Sequence, residues 1–254
     1  MSTTRVALVV GGTSGIGFAT AKELVEHGHR VAIAGRDVAR GERAVRELGD
    51  DAMFVSADVS RAADVTRMVD AVVARWGRLD AAVNAAALAD GFRPVPTAEI
   101  TEDEWDRTIA VDLKGVWLCM RSEITSMLAT GGGAIVNVSS VNGLSGTPMA
   151  AAYCAAKHGI HGLSKTAAIE YAPRGIRVNV VCPGAHRTPM LEGVFAVISP
   201  GDAARAEAMY AAQIPAGRIG EPRECGRMIA WLLSDAASYV SAAVVTVDGA
   251  LSAG

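Results

Sequence analysis

Short runs of apolar, often β-branched residues alternate along the chain with longer stretches whose apolar residues recur at helical spacing. The short runs lack the in-and-out alternation of a strand with one solvated face, which is typical of strands covered by helices on both sides. They predict seven strands, at 6–10, 30–34, 52–55, 81–83, 134–138, 177–181 and 243–247. We therefore expect a doubly wound α/β fold with a parallel, Rossmann-type sheet and a single domain over residues 1–254.

One helical stretch carries an unexpected charge. Thr101 and Glu104 form a capping box that predicts a helix start, and the segment IAVDLKGVWLCM at 109–120 reads as the buried part of the helix that follows. Asp112 lies in the middle of this segment. Buried carboxylates are rare unless a neighbour uses their charge, so Asp112 is a candidate functional residue.

Composition excludes several classes of function. The chain of 254 residues has 24 basic and 27 acidic side chains and a net charge of −3, which gives no basic field for nucleic acid. Its four cysteines form no CxxC pair, which argues against a structural zinc site and a disulfide framework and suits a reducing cytosol. No apolar run reaches the roughly 18 residues of a membrane span. We expect a soluble, cytoplasmic protein with no metal, membrane or nucleic-acid partner.

A glycine-rich turn follows the first predicted strand, in the sequence VVGGTSGIGFATAKEL. Gly11, Gly15 and Gly17 let the backbone bend sharply and approach a ligand without a Cβ in the way, and a pyrophosphate would then lie over the N-terminus of the next helix. The spacing is GxxxGxG, whereas the common dinucleotide motif is GxGxxG. The alternative interpretation is a glycine-rich turn that binds nothing.

A second candidate site is the pair Tyr153 and Lys157, which stand four residues apart on a predicted helix and share one face. A neighbouring ammonium group would lower the pKa of a tyrosine from about 10 to about 8, within reach of proton transfer near neutral pH. The spacing alone is also compatible with a surface pair. Ser139 and Ser140 strengthen the functional interpretation, because they end a predicted strand where the carboxyl edge of the sheet opens.

Taken together, these motifs resemble the short-chain dehydrogenase/reductase family over essentially the whole chain. VGGTSGIG matches the family's TGxxxGxG, YCAAK matches YxxxK, and Ser140 stands thirteen residues before Tyr153, where the family has its catalytic serine. DVS with Asp58 matches the adenine-contacting segment, and CPGAHRTPM matches the loop after the sixth strand.

The resemblance implies hydride transfer between a nicotinamide cofactor and an alcohol or ketone. It implies Tyr153 as general acid and base, Ser140 as the holder of the carbonyl oxygen, and Lys157 as the ligand of the nicotinamide ribose that also lowers the tyrosine pKa. Asp112 stands at the place of the family's catalytic asparagine. The cofactor-binding residues implied are Gly11, Thr13, Ser14, Gly15, Ile16, Gly17, Arg36, Asp58, Val59, Asn84, Ala85, Ala86, Tyr153, Lys157, Pro183, Gly184, His186 and Thr188.

Several positions depart from the family pattern. Val10 replaces a threonine, and NAAA replaces NNAG, so that Ala85 lacks an amide and Ala87 adds a methyl group. His186 replaces a small aliphatic residue, and its imidazole is a candidate substrate contact. For Asp112 two interpretations stay open: it pairs with Lys157 and raises the tyrosine pKa, or it bonds a local backbone group and does not sense the lysine.

The second strand indicates which cofactor binds. It ends in AIAGRD, with Gly35 where the family's NAD users carry an aspartate, followed by Arg36. An arginine there can pair with a 2′-phosphate, so we expect NADP(H), with NAD(H) as the alternative. If Arg36 only stacks on adenine, Asp37 would repel the phosphate.

Residues 188–215 correspond to the family's variable substrate lid. Its apolar residues predict an uncharged, medium-sized or cyclic alcohol or ketone as substrate; they are Met190, Leu191, Val194, Phe195, Met209 and Tyr210. The resemblance also implies a homotetramer, with the C-terminal tail packed on another subunit.

Two alternatives complete the set of hypotheses. Cys154, His158 and His161 share a helical face that in principle suits a metal, although contact with a neighbouring subunit explains them better. The functional alternative to an enzyme is a sensor or scaffold that binds the cofactor without turnover.

Overall fold

Seven parallel strands form one sheet in the computed structural model, which describes residues 4–88 and 94–253. The strands are β1 (Val6–Val10), β2 (Arg30–Gly35), β3 (Ala52–Ser56), β4 (Ala81–Asn84), β5 (Gly133–Val138), β6 (Ile176–Pro183) and β7 (Val244–Val247). Their order across the sheet is β3-β2-β1-β4-β5-β6-β7. All seven predicted strands are confirmed, and the predicted bounds differ from these by at most two residues. Residues 1–3, 89–93 and 254 of the predicted single domain lie outside the described part.

Helices cover both faces of the sheet. They are α1 (Gly15–Glu26), α2 (Val38–Leu48), α3 (Ala62–Trp76), α4 (Glu102–Ile109), α5 (Gly115–Thr130), α6 (Ala151–Tyr171), α7 (Pro189–Ile198), α8 (Ala203–Ala211) and α9 (Pro222–Leu233). Helices α1, α2 and α9 pack on one face, and α3, α5 and α6 pack on the other. The predicted doubly wound α/β fold is therefore confirmed.

The continuous apolar runs follow from this double cover. Within β1, Leu8 packs with α3, α5 and α6, while its neighbour Val9 packs with α1 and α9. Successive strand side chains point to opposite faces, so a strand between two helical layers needs an apolar residue at every position. All five residues of β1 are buried.

The strand order reverses next to β1, which pairs with β2 on one side and β4 on the other. The backbone after β1 and the backbone after β4 therefore leave the sheet in neighbouring positions: Gly11 N donates to Ala34 O at 2.8 Å, and Ala85 N donates to Val10 O at 2.9 Å. A crevice opens at such a switch point, outside the carboxyl ends of the strands.

The predicted capping box is present at the start of α4. Glu104 N donates to Thr101 Oγ1 at 3.3 Å, and Thr101 N donates to Glu104 Oε2 at 3.0 Å. The helix does not run regularly into α5, because a π-helical turn, Ala110–Lys114, lies between them. Such turns are often found at functional sites, and this one carries Asp112.

The segment predicted as a lid forms α7 and α8 with a small apolar cluster of its own. The cluster consists of Leu191, Phe195, Ala206, Ile214 and Ile219, and Leu251 of the tail packs against it. Leu191 and Phe195, two of the apolar residues from which the substrate class was predicted, are thus buried in this cluster. Met209 remains exposed. No helix in the described ranges is long and apolar enough to cross a membrane.

Candidate active site

Glycines shape the turn between β1 and α1. Gly11 has a φ of +80°, and a Cβ there would lie 2.6 Å from Ala86 N. A Cβ at Gly17 would lie 2.2 Å from Gly11 O. The side chain of Ser14, the N-cap residue, caps no N–H of the described first turn, so the N–H groups of that turn remain available to an anion.

Other residues predicted to bind the cofactor surround this turn. The Thr13 side chain lies beside Gly35 at the end of β2, and Thr188 lies beside Gly15, with Cγ2 3.2 Å from the position of a Cβ there. A narrow cleft between β1, β4 and α5 brings several more together; it is lined by Val10, Val59, Asn84, Ala86, Val111, Gly115, Val116 and Cys119. Close backbone approach and an open helix start at the switch point fit a dinucleotide.

The residues expected at the adenosine end of the cofactor differ in exposure and in the contacts they make within the protein. Asp58 Oδ1 accepts from Ser60 N at 2.9 Å and from Ser60 Oγ at 2.7 Å, so this carboxylate orders its own turn. Arg36 is exposed directly after β2. Asp37 caps α2 by accepting from Arg40 N at 2.9 Å and pairs with the Arg40 guanidinium at 3.5 Å.

The loop after β6 begins at Pro183 and packs closely on the chain after β7. Gly184 N donates to Val247 O at 3.0 Å, and a Cβ at Gly184 would lie 2.8 Å from Asp248 Cβ. His186 is buried, with Nδ1 3.2 Å from Gly184 O and its ring against Gly220. Burial lowers its pKa below the usual 6.5. The imidazole suggested as a substrate contact instead packs on the neighbouring loops.

Tyr153 and Lys157 share one face of α6, as predicted. Lys157 is 2% exposed, and its Nζ lies 5.3 Å from the centroid of the Tyr153 ring and donates to Val138 O at 3.3 Å. The ammonium group is thus buried beside the phenol, which distinguishes this pair from one on a helix surface. Ser140 follows β5, and its hydroxyl acts to lower the pKa of Tyr153 by favouring the phenolate.

The net direction of the Tyr153 pKa differs from the prediction. The sequence predicted a pKa lowered to about 8 by Lys157. In the structure, burial raises the pKa above 10; Lys157 and Ser140 oppose this, and Asp112 adds to it. The prediction omitted desolvation, which here outweighs the ammonium group even though Tyr153 is only half-buried.

The position of Asp112 supports the first of the two interpretations that the sequence left open, in which it senses Lys157. It is fully buried in the π-helical turn, with Oδ1 3.8 Å from Lys157 Nζ and accepting from Leu88 N at 3.2 Å. It therefore senses the lysine, and the backbone group that it bonds is not local but lies 24 residues earlier in the chain. Burial raises its pKa, while Lys157 and the Leu88 bond oppose that rise. Its Oδ2 is buried with no partner among the described residues.

Sequence reasoning missed a cluster that supports Ser140 and Lys157. Ser139 Oγ donates to Lys157 O at 3.0 Å, and His161 Nε2 lies 2.9 Å from Ser139 Oγ and 3.4 Å from Cys182 Sγ. His161 thus links α6 to the ends of β5 and β6. Its position four residues after Lys157 was the available signal, but the sequence placed it instead in a candidate metal group.

The metal alternative has no geometric support. His158 Nδ1 bonds Cys154 O at 2.9 Å, and His161 turns to Ser139. Within 4–88 and 94–253, no three His, Cys, Asp or Glu side chains form a group that suits a metal ion.

A buried polar chain was also missed. Glu123 on α5 accepts from Asn84, which in turn donates to Asn137 on β5. The acidic residue stands in an apolar helical pattern, as Asp112 does, and that was the signal available for it.

Known proteins with similar sequences match this chain over nearly its whole length. A family model described as "Enoyl-(Acyl carrier protein) reductase" matches residues 10–252. Cis-4-hydroxycyclohexanecarboxylate dehydrogenase of Sinomonas cyclohexanicum is 42% identical over 253 residues, covering 98% of this chain and 97% of that protein.

Two solved structures share the fold over nearly the whole chain. The crystal structure of levodione reductase superposes with a TM-score of 0.94 at 37% identity, covering 100% of both chains. The 3-ketoacyl-(acyl-carrier-protein) reductase from Brucella melitensis complexed with NADH gives a TM-score of 0.90 at 33% identity, covering 98% of both chains.

Proposed function

The chain belongs to the short-chain dehydrogenase/reductase family, and we propose that it is an NADP(H)-preferring enzyme that interconverts a cyclic secondary alcohol and its ketone with Tyr153 as proton donor and acceptor. Its reaction class is hydride transfer between a nicotinamide cofactor and an alcohol or ketone. The observation that carries the assignment of Tyr153 is the buried Lys157 ammonium group beside its ring. Nothing in the described residues favours a sensor without turnover.

The proton chemistry follows from three side chains. In the reductive direction, the Ser140 and Tyr153 hydroxyls donate hydrogen bonds to the carbonyl oxygen, and Tyr153 transfers its proton as negative charge develops there. The Lys157 ammonium group stabilises the phenolate that remains. A bound nicotinamide cofactor supplies the hydride in this direction and accepts it in the other.

Asp112 adjusts this chemistry. Its carboxylate lies 3.8 Å from Lys157 Nζ, so it offsets part of the positive field that Tyr153 experiences. Both groups are almost completely buried, and solvent screens their interaction little. The result is a tyrosine that holds its proton to higher pH, which favours the acid role needed for ketone reduction.

The cofactor would lie along the switch point. Gly11, Gly15 and Gly17 would border its pyrophosphate, and Asn84 to Ala86 would line the path toward Tyr153. Arg36, exposed after β2, supports NADP(H), since a charge-assisted bond to a 2′-phosphate corresponds to a preference of roughly 10- to 150-fold. Asp37 is engaged in capping α2, which weakens its repulsion of that phosphate. NAD(H) is the competing assignment, supported by the NADH bound to the Brucella melitensis relative.

The substrate class rests on the lid and on the relatives. The lid segment is largely apolar, and the name of the Sinomonas cyclohexanicum enzyme includes a cyclohexane ring. That substrate also carries a carboxylate, whereas we propose an uncharged ring. We further propose a cytoplasmic homotetramer; a monomeric mass by light scattering at micromolar concentration would contradict the tetramer.

The test is a substrate panel monitored by absorbance of the reduced nicotinamide. Cyclic and open-chain secondary alcohols and ketones are assayed with NADP(H) and NAD(H) in both directions, and cyclohexanol is compared with its 4-carboxylate. We expect turnover that is fastest with uncharged rings and NADP(H). Tight cofactor binding without turnover of any compound would instead indicate the sensor.

A further inference from the structure

A chain of buried polar side chains runs along one face of the sheet, from α5 past β4 and β5 to α6. Asn84 Nδ2 donates to Glu123 Oε2 at 3.0 Å and to Asn137 Oδ1 at 2.9 Å, and Asn137 Nδ2 donates to Ser164 Oγ at 2.8 Å. Ser164 lies on α6, seven residues after Lys157. Glu123, Asn137 and Ser164 have no exposed surface. The chain therefore joins β4 and β5 to the helix that carries Tyr153.

This chain lacks one hydrogen-bond donor. Glu123 Oε1 and Asn84 Oδ1 are both buried, and neither has a partner in the described part of the protein. An ionised carboxylate only accepts hydrogen bonds, so it would leave both oxygens unsatisfied. A proton on Glu123 supplies a donor to this carboxyl–amide pair. The hydrogen bonding thus favours a neutral carboxylic acid.

Asn84 connects Glu123 to the backbone beside the glycine turn. It is the last residue of β4, and Ala85, which follows it, bonds Val10 O at 2.9 Å. The next residue, Ala86, has its backbone N only 2.6 Å from the position of a Cβ on Gly11. A shift of Asn84 would move backbone that is in close contact with the glycine turn.

We propose that Glu123 is a positioning residue which, as a neutral acid, holds Asn84 and the backbone after β4 in the conformation that binds the cofactor. The claim that Glu123 positions the cofactor-binding backbone rests on the proposed function. The claim that Glu123 is protonated in the folded protein does not.

The surroundings of Glu123 offer no compensation for a negative charge. The groups that interact with it are the amide of Asn84 and the thiol of Cys119, one turn earlier on α5; no cation in the described ranges interacts with it. Burial raises its pKa to about 8, from the ordinary 4.5 of a glutamate. Glu123 is therefore neutral at pH 7 and ionises in mildly alkaline solution.

The pKa of Glu123 is 4.5 in the unfolded chain and about 8 in the folded protein, and this difference makes stability depend on pH. Between about pH 4.5 and 8 the folded protein keeps the proton and the unfolded chain has lost it, so the contribution of Glu123 to stability falls as pH rises. Above about pH 8 both states are ionised and the dependence ends. Glu123→Gln removes the ionisation and retains a neutral side chain with a donor and an acceptor.

The first experiment measures thermal unfolding of the wild type and Glu123→Gln from pH 6 to 9 without cofactor. We expect the wild type to lose roughly 3–8 °C more than the variant across this range. Glu42→Gln is the control, because Glu42 is exposed on α2, and it should follow the wild type. If the unfolding temperatures of wild type and Glu123→Gln change in parallel with pH, or if Glu123→Gln fails to fold, Glu123 is not a neutral acid in the folded protein.

The second experiment measures dissociation constants for NADPH and NADH by fluorescence titration at pH 7 and 9. If only protein with neutral Glu123 binds well, the wild type should bind roughly tenfold more weakly at pH 9, and Glu123→Gln should bind equally at both. An equal loss in both proteins would overturn the positioning role. If neither cofactor binds at either pH, the proposed function fails and so does the positioning role. The unfolding experiment still decides whether Glu123 is neutral in the folded protein.

Discussion

The two halves of the crevice are formed by different kinds of chemical group. The phosphate half, residues 11–17 with the chain at 35–37, is formed by backbone, glycines and one exposed arginine. The catalytic half consists of Asp112, Ser140, Tyr153 and Lys157, of which Asp112 and Lys157 are almost fully buried. Under the proposed function, the first half would recognise a ligand by close approach of the backbone, and the second would act through charges held away from water.

This difference predicts two kinds of mutational effect. Replacing a glycine in the phosphate half adds atoms where none fit, so it should change stability and cofactor affinity, and replacing its arginine should change cofactor affinity. A substitution in the catalytic half changes a charge or a proton at nearly constant shape, so it should change kcat and its pH dependence. Each of the following variants tests whether the two halves separate in this way.

The largest effect is expected for Tyr153→Phe. Removal of the hydroxyl takes away the proton donor and little binding surface, so kcat should fall by about 10²- to 10⁴-fold while the dissociation constant for NADPH stays within a few-fold. Steady-state kinetics and fluorescence titration measure both. Tyr239→Phe is the control, because Tyr239 is fully exposed. Activity above about a tenth of the wild type would show that another group supplies the proton.

Gly17→Ala should have the largest effect in the phosphate half. The added Cβ would lie 2.2 Å from Gly11 O, and backbone cannot give way as a flexible side chain does. We expect unfolding free energy to fall by about 1–3 kcal/mol and cofactor affinity to fall by about 100-fold or more. The matched control is Gly162→Ala on α6, where a Cβ meets no atom within 4 Å. Unchanged affinity in Gly17→Ala would remove the glycine turn from the cofactor site.

Arg36→Ala tests charge recognition within the phosphate half. If Arg36 pairs with a 2′-phosphate, the variant should lose roughly 10- to 150-fold in affinity for NADPH and little for NADH. Arg43→Ala, an exposed arginine on α2, should leave both constants unchanged. Equal dissociation constants for NADPH and NADH in the wild type would refute the preference itself.

Asp112→Asn should give the smallest effect, confined to the catalytic half. The carboxylate raises the Tyr153 pKa, so its removal should lower that pKa and move the rise of the alcohol-oxidation rate to lower pH. The shift should be on the order of one pH unit, given two buried charges a few ångströms apart. Asp103→Asn, an exposed change on α4, serves as control. An unchanged profile, or a shift to higher pH, would make Asp112 a structural residue.

The two halves also differ in how far the sequence predicted them. Glycines at fixed spacing report directly on backbone geometry: Gly11 has a positive φ, and a Cβ at Gly11 or Gly17 would collide with neighbouring backbone. The site in the other half depends on which polar residues end up buried together. Tyr153 and Lys157 were found from their helical spacing, whereas Glu123, Asn137 and His161 were not, because their partners come from strands and helices distant in the chain.

The sequence by itself determined the fold and the face of α6 that carries Tyr153 and Lys157. Uniformly apolar strands require cover on both sides, and helical spacing fixes which side chains are neighbours. The tertiary structure alone decided the electrostatics: burial reversed the direction expected for the Tyr153 pKa, and the π-helical turn placed Asp112 3.8 Å from Lys157 Nζ. Desolvation depends on every group packed around a charge, and those groups become neighbours only when the chain folds.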